Sequence, residues 1–211
     1  MNRLFAITLL IFCRSALVES SLRAGPPEIV SVKKIWDEGE HNAFTDLIRF
    51  RDRWWITFRE AKDHGPSIGK VRVIVSDDGR DWRSAALVKQ DGVDLRDPKL
   101  SVMPDGRLML ILGGSVYDTS KFGTRAPRVA FSKDGREWTE PKKLLAEDHW
   151  LWRVTWRDGW AWSVSKLGEG RDPRRGMLYR SRDGLDWEWV TEFRLPNNTW
   201  NASETTLRFL P

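Results

Sequence analysis

A seven-residue pattern, Ser-x-Asp-Gly-x-x-Trp, occurs three times along this chain of 211 residues. The copies occupy 76–82, 132–138 and 181–187, and their serines are separated by 56 and 49 residues. Asp-Gly favours the positive φ that a tight connection between two strands requires, and the Ser and Asp side chains can bond nearby backbone N–H groups. The Trp ring is large enough to cover such a turn. Three copies at this spacing indicate a repeat architecture.

The segments around each copy favour β-strands. Runs rich in β-formers precede the copies at 71–75, 128–131 and 177–180. Further hairpins are predicted for 47–50 with 54–58, 100–102 with 108–112, and 154–156 with 160–164. No useful helical period follows residue 22. The spacing matches four-stranded blades of an all-β propeller, at about 41–90, 94–146 and 149–196, with the first strand of a fourth blade at 203–211.

The repeated motif resembles the Asp-box, or bacterial neuraminidase repeat, so that residues 28–211 resemble the sialidase-like β-propeller superfamily. The resemblance implies a six-bladed ring, of which this chain holds about half. It also implies that the motif joins the third and fourth strands of each blade on the outer rim, where a structural role is favoured over a catalytic one. The structural motif residues are Ser76, Asp78, Gly79, Trp82, Ser132, Asp134, Gly135, Trp138, Ser181, Asp183, Gly184 and Trp187.

The N-terminus is typical of a secretory signal peptide at 1–20. Arg3 supplies a positive charge, 4–12 is rich in apolar residues, and small or polar residues follow as far as Ser20. The alternative is a buried N-terminal helix. The single cysteine, Cys13, lies at the end of the apolar region, so the mature chain would contain none and would be stabilised by its core. We therefore expect a secreted or periplasmic protein without a membrane segment after removal of the signal.

The charges exclude several classes of function. The 35 basic and 30 acidic residues are interleaved, which does not indicate a nucleic-acid surface.

The three histidines lack the paired spacing of a zinc site, and neither a phosphate-binding loop nor a dinucleotide-binding fingerprint is present. The sequence therefore predicts no metal and no cofactor. The expected partner is a glycan or another carbohydrate.

Candidate site residues come from four polar segments, 41–46, 94–98, 149–153 and 201–205, each of which precedes a predicted innermost strand. Such segments converge on the axis of a propeller. Glycoside cleavage commonly uses two carboxyl groups, and the candidates are Asp46, Asp97 and Glu204. The residues expected to bind a sugar are Arg59, Glu60, Arg96, Arg153, Trp150 and Trp152.

Each candidate also has a structural interpretation. Arginine beside a carboxylate can brace adjacent blades, Trp can pack in the core, and Glu204 can be a hydrogen-bonding residue at the start of a strand. The resemblance to sialidases implies an arginine cluster for a sugar carboxylate and a tyrosine nucleophile assisted by a glutamate. The chain lacks the Phe/Tyr-Arg-Ile-Pro motif that generally carries the first arginine, and neither Tyr117 nor Tyr179 is placed as a convincing nucleophile.

Three functions are compatible with these observations. The first is an exported sialidase-like glycoside hydrolase that acts on glycans in a central pocket. The second is a propeller that binds carbohydrate without cleaving it. The third is an inactive fragment of a longer protein, because the sequence stops after an unpaired strand pattern at 205–210. Such a fragment is expected to associate with itself through its open blade edges.

Overall fold

The computed structural model of the protein describes residues 25–118, 121–167, 175–196 and 202–210. The predicted signal peptide lies outside these residues, as does Asn201 of the fourth polar segment. The chain divides into two units, Met1–Lys33 and Lys34–Pro211. In the first unit, residues 25–33 have no regular secondary structure and are exposed.

The second unit contains three antiparallel β-sheets, which we call blades 1, 2 and 3. Blade 1 consists of β1 (His41–Phe50), β2 (Arg53–Ala61), β3 (Lys70–Ser76) and β4 (Arg83–Val88). Blade 2 consists of β5 (Asp94–Val102), β6 (Leu108–Asp118), β7 (Lys121–Ser132) and β8 (Lys142–Lys143). Blade 3 consists of β9 (His149–Leu151), β10 (Thr155–Arg157), β11 (Trp160–Leu167), β12 (Arg175–Ser181) and β13 (Trp187–Arg194).

The predicted all-β fold and hairpin pairings are confirmed. Leu47 pairs with Ile56, and Leu100 pairs with Leu110 in the matching hairpin of blade 2. The predicted four-stranded form needs one correction in blade 3, where β9 and β10 both pair with β11. They are two halves of one interrupted innermost strand, because three residues between them stand opposite only two residues of β11.

The three Ser-Asp-Gly-Trp turns have the same hydrogen bonds. In the first, Ser76 Oγ accepts the N–H of Gly79 at 2.8 Å, and Asp78 Oδ1 accepts the N–H groups of Arg80 and Asp81 at 2.8 and 3.0 Å. The Trp82 indole N–H donates to the Gly79 carbonyl. The turns connect β3 to β4, β7 to β8 and β12 to β13, which are the two strands of each sheet at the end opposite to its first strand. These motifs therefore lie at the outer end of each blade.

Glycine is required in the second turn for two reasons. Its φ is +79°, a conformation that other residues rarely adopt. A Cβ at Gly135 would also lie 2.3 Å from the Trp55 ring of blade 1. The turn thus closes a hairpin and packs against the preceding blade.

The innermost strand of every blade carries one extra residue at the same place. The pairing shifts register between Ala43 and Asp46 in blade 1, and between Arg96 and Lys99 in blade 2. The interruption between β9 and β10 is the equivalent irregularity in blade 3. A β-bulge redirects the side chains beside it. The three bulges therefore place Phe44, Asp97 and Arg153 at equivalent positions.

Two apolar cores lie between the blades. One contains Val71, Val73 and Val75 of blade 1 against Leu100 and Leu110 of blade 2. The other joins blade 2 to blade 3, with members that include Met109, Ile111, Val129, Val154 and Tyr179. Burial between sheets, rather than within one sheet, is the main apolar stabilisation of such an array.

One face of blade 1 is exposed, whereas the equivalent face of blade 2 is buried. Leu47 holds the register position of Leu100, yet Leu47 is 53% exposed and Leu100 only 2%. A cavity of about 540 Å³ opens on this face of blade 1, and its lining includes Trp36, Leu47, Ile56 and Phe58. The exposed apolar face fits the expected self-association of the chain, which stays a prediction.

Residues 202–210 do not form the strand that the sequence predicts. The Leu207 carbonyl accepts a hydrogen bond from the Thr155 hydroxyl at 3.1 Å, and the Phe209 ring meets Trp162 edge-on. The first strand of a blade forms its hydrogen-bond ladder with the second strand of that blade. No described residue pairs with this segment in that way.

Across the described ranges there is no helix long and apolar enough to cross a membrane.

The two equivalent leucines give a matched test of the packing. Leu100→Ala should lower the free energy of unfolding by roughly 2–4 kcal/mol because it leaves a cavity between blades 1 and 2. Leu47→Ala should change it by less than about 0.5 kcal/mol because much of that side chain is already in water. Urea unfolding of both variants measures the difference. Equal losses would contradict the assignment of the buried and exposed faces.

The Ser-Asp-Gly-Trp turns predict sensitivity to acid. Hydrogen bonds from the Asp81 and Arg80 backbone N–H groups lower the pKa of Asp78 from 3.8 to about 2. The same kind of bond, from Glu137 and Arg136, lowers the pKa of Asp134. A lowered folded-state pKa adds stability above the unfolded-state pKa, and this stability disappears as the pH falls toward the folded-state value.

Urea midpoints measured at intervals from pH 5 to about pH 2 should therefore fall as the pH decreases. Asp78→Asn should reduce stability at neutral pH and make the fall at acid pH smaller. A wild-type midpoint that does not change over this interval would show that these carboxylates do not hold the turns.

Candidate functional site

Asp46 ties the three blades together at their inner strands. Its carboxylate is bonded by both terminal nitrogens of Arg153 from blade 3, with Nη1 at 3.1 Å from Oδ2. Oδ2 also accepts the Leu100 backbone N–H of blade 2 at 2.8 Å. Asp46 is buried, whereas the Arg153 side chain is 28% exposed. The pair presents a fixed guanidinium at the centre of the array.

The bulges of the three inner strands place different side chains at this centre. Phe44, Asp97 and Arg153 are the equivalent residues of blades 1, 2 and 3. Each stands three residues before an apolar residue of its inner strand, and Glu204 has the same spacing to Leu207. Phe44 and Asp97 have positive φ values of 64° and 50°. Positive φ in non-glycine residues is uncommon and costs energy, and such residues cluster at functional sites.

The surroundings of Asp97 favour the protonated form of its carboxyl group. Burial raises its pKa above 3.8, and the negative charge of Glu204 acts in the same direction. The positive charges of Lys99, Arg96 and Lys166 oppose this rise but do not cancel it. The predicted catalytic residues Asp97 and Glu204 therefore lie within electrostatic range of each other, among basic side chains.

Lys99 also belongs to this centre, and it is not among the residues predicted from the sequence. Its side chain is 6% exposed, and its ammonium lies 4.5 Å from the centre of the Trp152 ring. The ammonium also donates to the Pro98 carbonyl at 3.3 Å. Burial lowers the pKa of Lys99, and the charges of Asp97, Asp46 and Glu204 oppose that shift. The sequence feature that points to Lys99 is its position directly before Leu100, which is equivalent to the position of Asp46 directly before Leu47.

Arg59 is positioned for a structural role, which differs from the predicted contact with substrate. It is fully buried, and its Nε donates to Asp94 Oδ1 at 2.8 Å. Its terminal nitrogens donate to the carbonyls of Asp63 and Ser67 at 2.8 and 2.9 Å. A side chain with no exposed surface cannot touch a ligand in this conformation. Arg59 instead fixes the loop between β2 and β3 to blade 2.

Arg96 extends this buried network toward the site. Its Nη1 lies 3.7 Å from Asp94 and 3.4 Å from the Tyr117 hydroxyl, which itself donates to Asp94. Its Nη2 donates to the His64 carbonyl, and its guanidinium lies 5.2 Å from the Phe44 ring centre. Burial raises the pKa of Tyr117, and its bond to Asp94 acts in the same direction. Arg96 thus connects the Arg59–Asp94 pair to the surroundings of Asp97.

Glu60 and Trp150 also make structural contacts, and their predicted roles in sugar binding stay predictions. Glu60 forms two bonds with Arg72, at 3.0 and 2.9 Å, and accepts the Trp36 indole N–H at 2.8 Å. Trp150 is buried against Gly113, where a Cβ would lie 2.1 Å from its ring. These contacts are the bracing and packing alternatives that the sequence left open. Trp152, also predicted to stack on sugar, covers Lys99 with its ring.

Comparison with solved structures confirms a partial β-propeller of the kind found in carbohydrate-active enzymes. An α-L-arabinanase from Penicillium chrysogenum, complexed with arabinobiose, is 16% identical with a TM-score of 0.60, over 75% of this chain and 51% of that one. A family GH32 β-fructofuranosidase from Bombyx mori is 17% identical with a TM-score of 0.56, over 71% and 34% of the two chains.

A third similar structure is an N-acetylgalactosamine deacetylase from F. plautii in complex with blood group B trisaccharide. It is 18% identical with a TM-score of 0.54, over 71% of this chain and 52% of that one. The protein thus spans about half or less of these three chains. None of the three is a sialidase, so the sialidase assignment stays a prediction. No protein-family model and no curated protein matches the sequence.

The cross-link through Asp46 gives a stability prediction. Asp46→Asn should lower the free energy of unfolding by roughly 1–3 kcal/mol, because it removes a charge-assisted acceptor and leaves Arg153 without its anionic partner. The control is Asp52→Asn, since Asp52 is exposed in a turn at φ 59° that asparagine tolerates. Urea unfolding measures both. An Asp46→Asn variant as stable as the control would mean that this cross-link does not hold the blades together.

Proposed function

We propose that this protein binds a glycan at the centre of its blades and cleaves a glycosidic bond there. Asp97 is the general acid, Glu204 is the second carboxylate, and Arg153 holds the sugar. The observation that carries the proposal is that Asp97 and Glu204, from the second and fourth inner segments, lie near enough for the Glu204 charge to raise the pKa of Asp97. Two carboxyl groups on either side of the bond are the usual requirement for this reaction.

The two carboxyl groups differ in environment, which favours different roles. A general acid must hold a proton until the bond breaks, and burial of Asp97 favours its protonated form. Asp97 donates that proton to the glycosidic oxygen as the bond from this oxygen to the anomeric carbon breaks. Glu204 is exposed to water, and we assign the role of the second carboxylate to it. It either bonds to the anomeric carbon or removes a proton from the attacking water.

Binding is assigned to the charged groups that remain partly exposed. Arg153 is held by Asp46, so that its guanidinium is oriented without a ligand. Lys166 donates to the Ser203 hydroxyl at 3.0 Å, beside the segment that carries Glu204. Oriented N–H groups of this kind bond sugar hydroxyls or a sugar carboxylate. Asp46, predicted to be catalytic, is assigned here to holding Arg153.

The relatives support a carbohydrate ligand without fixing its identity. The arabinanase is complexed with arabinobiose, and the deacetylase with a trisaccharide. The resemblance of the Ser-Asp-Gly-Trp motif to the bacterial neuraminidase repeat makes sialosides one candidate class, and Arg153 suits their carboxylate. Export of the protein, based on the signal pattern at 1–20, is part of the same proposal.

A second candidate function is glycan binding without cleavage. The observation that favours it is that the Tyr117 hydroxyl is bonded to Asp94 and the Asp46 carboxylate to Arg153 and Leu100, so both groups are used in structural contacts. Titration calorimetry with the sugars of the assay panel distinguishes the two functions. Binding with no turnover by the wild-type protein would favour this second candidate.

Hydrolysis is tested with chromogenic arabinosides, fructosides, xylosides, galactosides and sialosides. Asp97→Asn and Glu204→Gln should each lower kcat by on the order of 10²–10⁴-fold. Asparagine tolerates the positive φ at 97, so that variant should fold. The matched control is Asp158→Asn in the exposed turn between β10 and β11, which should keep wild-type activity. Undiminished hydrolysis by both carboxylate variants would refute the proposal.

The activity should also depend on pH through Asp97. Because the pKa of Asp97 is raised, its proton is retained to a higher pH than in an ordinary aspartic acid. The rate should then fall as the pH rises through this pKa. In Asp97→Asn any residual rate should lack this fall, which a pH–rate profile of kcat/KM measures.

A further inference from the structure

The cavity on the exposed face of blade 1 has the composition of a pocket for an apolar group. Its volume is about 540 Å³, and five apolar side chains line it: Ile35, Trp36, Leu47, Ile56 and Phe58. Ligand pockets are typically ~300–1,000 Å³ and are lined mainly by such side chains, with a few polar groups. Three of the five are aliphatic, and burial of sugar hydroxyl groups against them without hydrogen bonds would cost free energy. The lining therefore favours a hydrocarbon group over a sugar ring.

Trp36 forms a fixed wall of this cavity. Its indole N–H donates to Glu60 Oε1 at 2.8 Å, and Glu60 accepts two bonds from Arg72, at 3.0 and 2.9 Å. The Arg72 guanidinium lies 5.2 Å from the Trp36 ring centre, and the Phe58 ring centre lies 6.1 Å from it. Because Glu60 and Arg72 belong to β2 and β3, the wall is anchored to the sheet. The cavity is therefore formed in advance by contacts within the chain.

The segment that carries Ile35 and Trp36 distinguishes this face from the faces packed between blades. Leu100, at the position equivalent to Leu47, is buried in the core that blades 1 and 2 share. On blade 1, residues 35 and 36 line the same cavity as Leu47. A sheet from a second copy would have to move Trp36 away from Glu60 to pack as closely there. A hydrocarbon chain needs no such displacement.

The cavity adjoins the centre of the blades through Asp46. This carboxylate lines the cavity, and it is bonded to both terminal nitrogens of Arg153 and to the Leu100 backbone N–H. Among the described residues that line the cavity, Asp46 is the one with a charged side chain, and Arg153 compensates its charge. The cavity thus favours an uncharged group, and a sugar held by Arg153 would lie one side chain away from it.

We propose that this cavity binds an alkyl chain attached to the sugar, so that the ligands of the protein are glycosides of apolar alcohols. The proposal rests on the proposed function for the position of the sugar at Arg153. The affinity for the chain itself does not depend on cleavage, because it comes from apolar burial against Leu47, Ile56 and Phe58.

The test titrates the full chain with 1-butanol, 1-hexanol and 1-octanol after ¹³C labelling of isoleucine and leucine methyl groups. The NMR signals of Ile35, Leu47 and Ile56 should shift, whereas that of Ile68, exposed in the loop between β2 and β3, should not. Each added CH₂ should tighten binding by up to about fourfold, which corresponds to ~0.8 kcal/mol per buried CH₂. Unshifted signals at the three cavity residues, or equal affinity for the three alcohols, would overturn the proposal.

Leu47→Gln is the decisive variant, because it removes an apolar side chain from the cavity lining at a position that is already 53% exposed. It should weaken binding of 1-octanol by roughly fivefold or more. Ile68→Gln is the matched control, since that side chain is 49% exposed and does not line the cavity, and it should bind 1-octanol as the wild type does. Equal affinity of the two variants would contradict the assignment of the site.

The outcomes separate this proposal from the proposed function and from a second copy on the same face. For a sugar that the protein cleaves, the octyl glycoside should have a KM at least about tenfold below that of the methyl glycoside, and Leu47→Gln should reduce this difference. If no glycoside is cleaved but 1-octanol shifts the cavity signals, the proposed function fails and the alkyl site stands. If sedimentation shows a dimer that Leu47→Gln dissociates, while 1-octanol does not bind, a second copy occupies the face and the alkyl site is overturned.

Discussion

The one-residue bulge in each innermost strand is the constraint on which the rest of this structure depends. In a regular strand, residue 97 would continue the alternation of β5 and point into one of the two cores between blades. The bulge lets Asp97 and Arg153 leave that alternation while Leu100 and Trp156, three residues later, return to the packed faces. Blade packing and a polar centre can then coexist in the same strands.

The polar centre is also part of what holds the blades together. Asp46 on blade 1 reaches the backbone of blade 2 and the guanidinium of Arg153 on blade 3. Arg59 and Asp94 make a comparable buried bridge between blades 1 and 2. Charged groups of the proposed site therefore share their partners with charged groups that connect the blades.

The local features were the predictable ones, because a turn or a strand needs only nearby residues. The Ser-Asp-Gly-Trp pattern predicted the turns at Gly79, Gly135 and Gly184, whose φ values are close to +78°. The burial of Arg59 and Trp150 was not predictable, since it depends on Asp94 and Gly113 from another blade. Lys99 was missed because a lysine before an apolar strand usually lies in solvent, and only the aligned inner strands show that it points to the centre.

The most direct test of the account is a crystal structure of the protein soaked with an oligosaccharide that it binds. The account predicts a sugar ring at the inner ends of the blades, with the Arg153 guanidinium on its hydroxyl or carboxylate groups and Asp97 and Glu204 beside one glycosidic oxygen. A sugar bound only at the outer turns, against Trp82, Trp138 or Trp187, would contradict it.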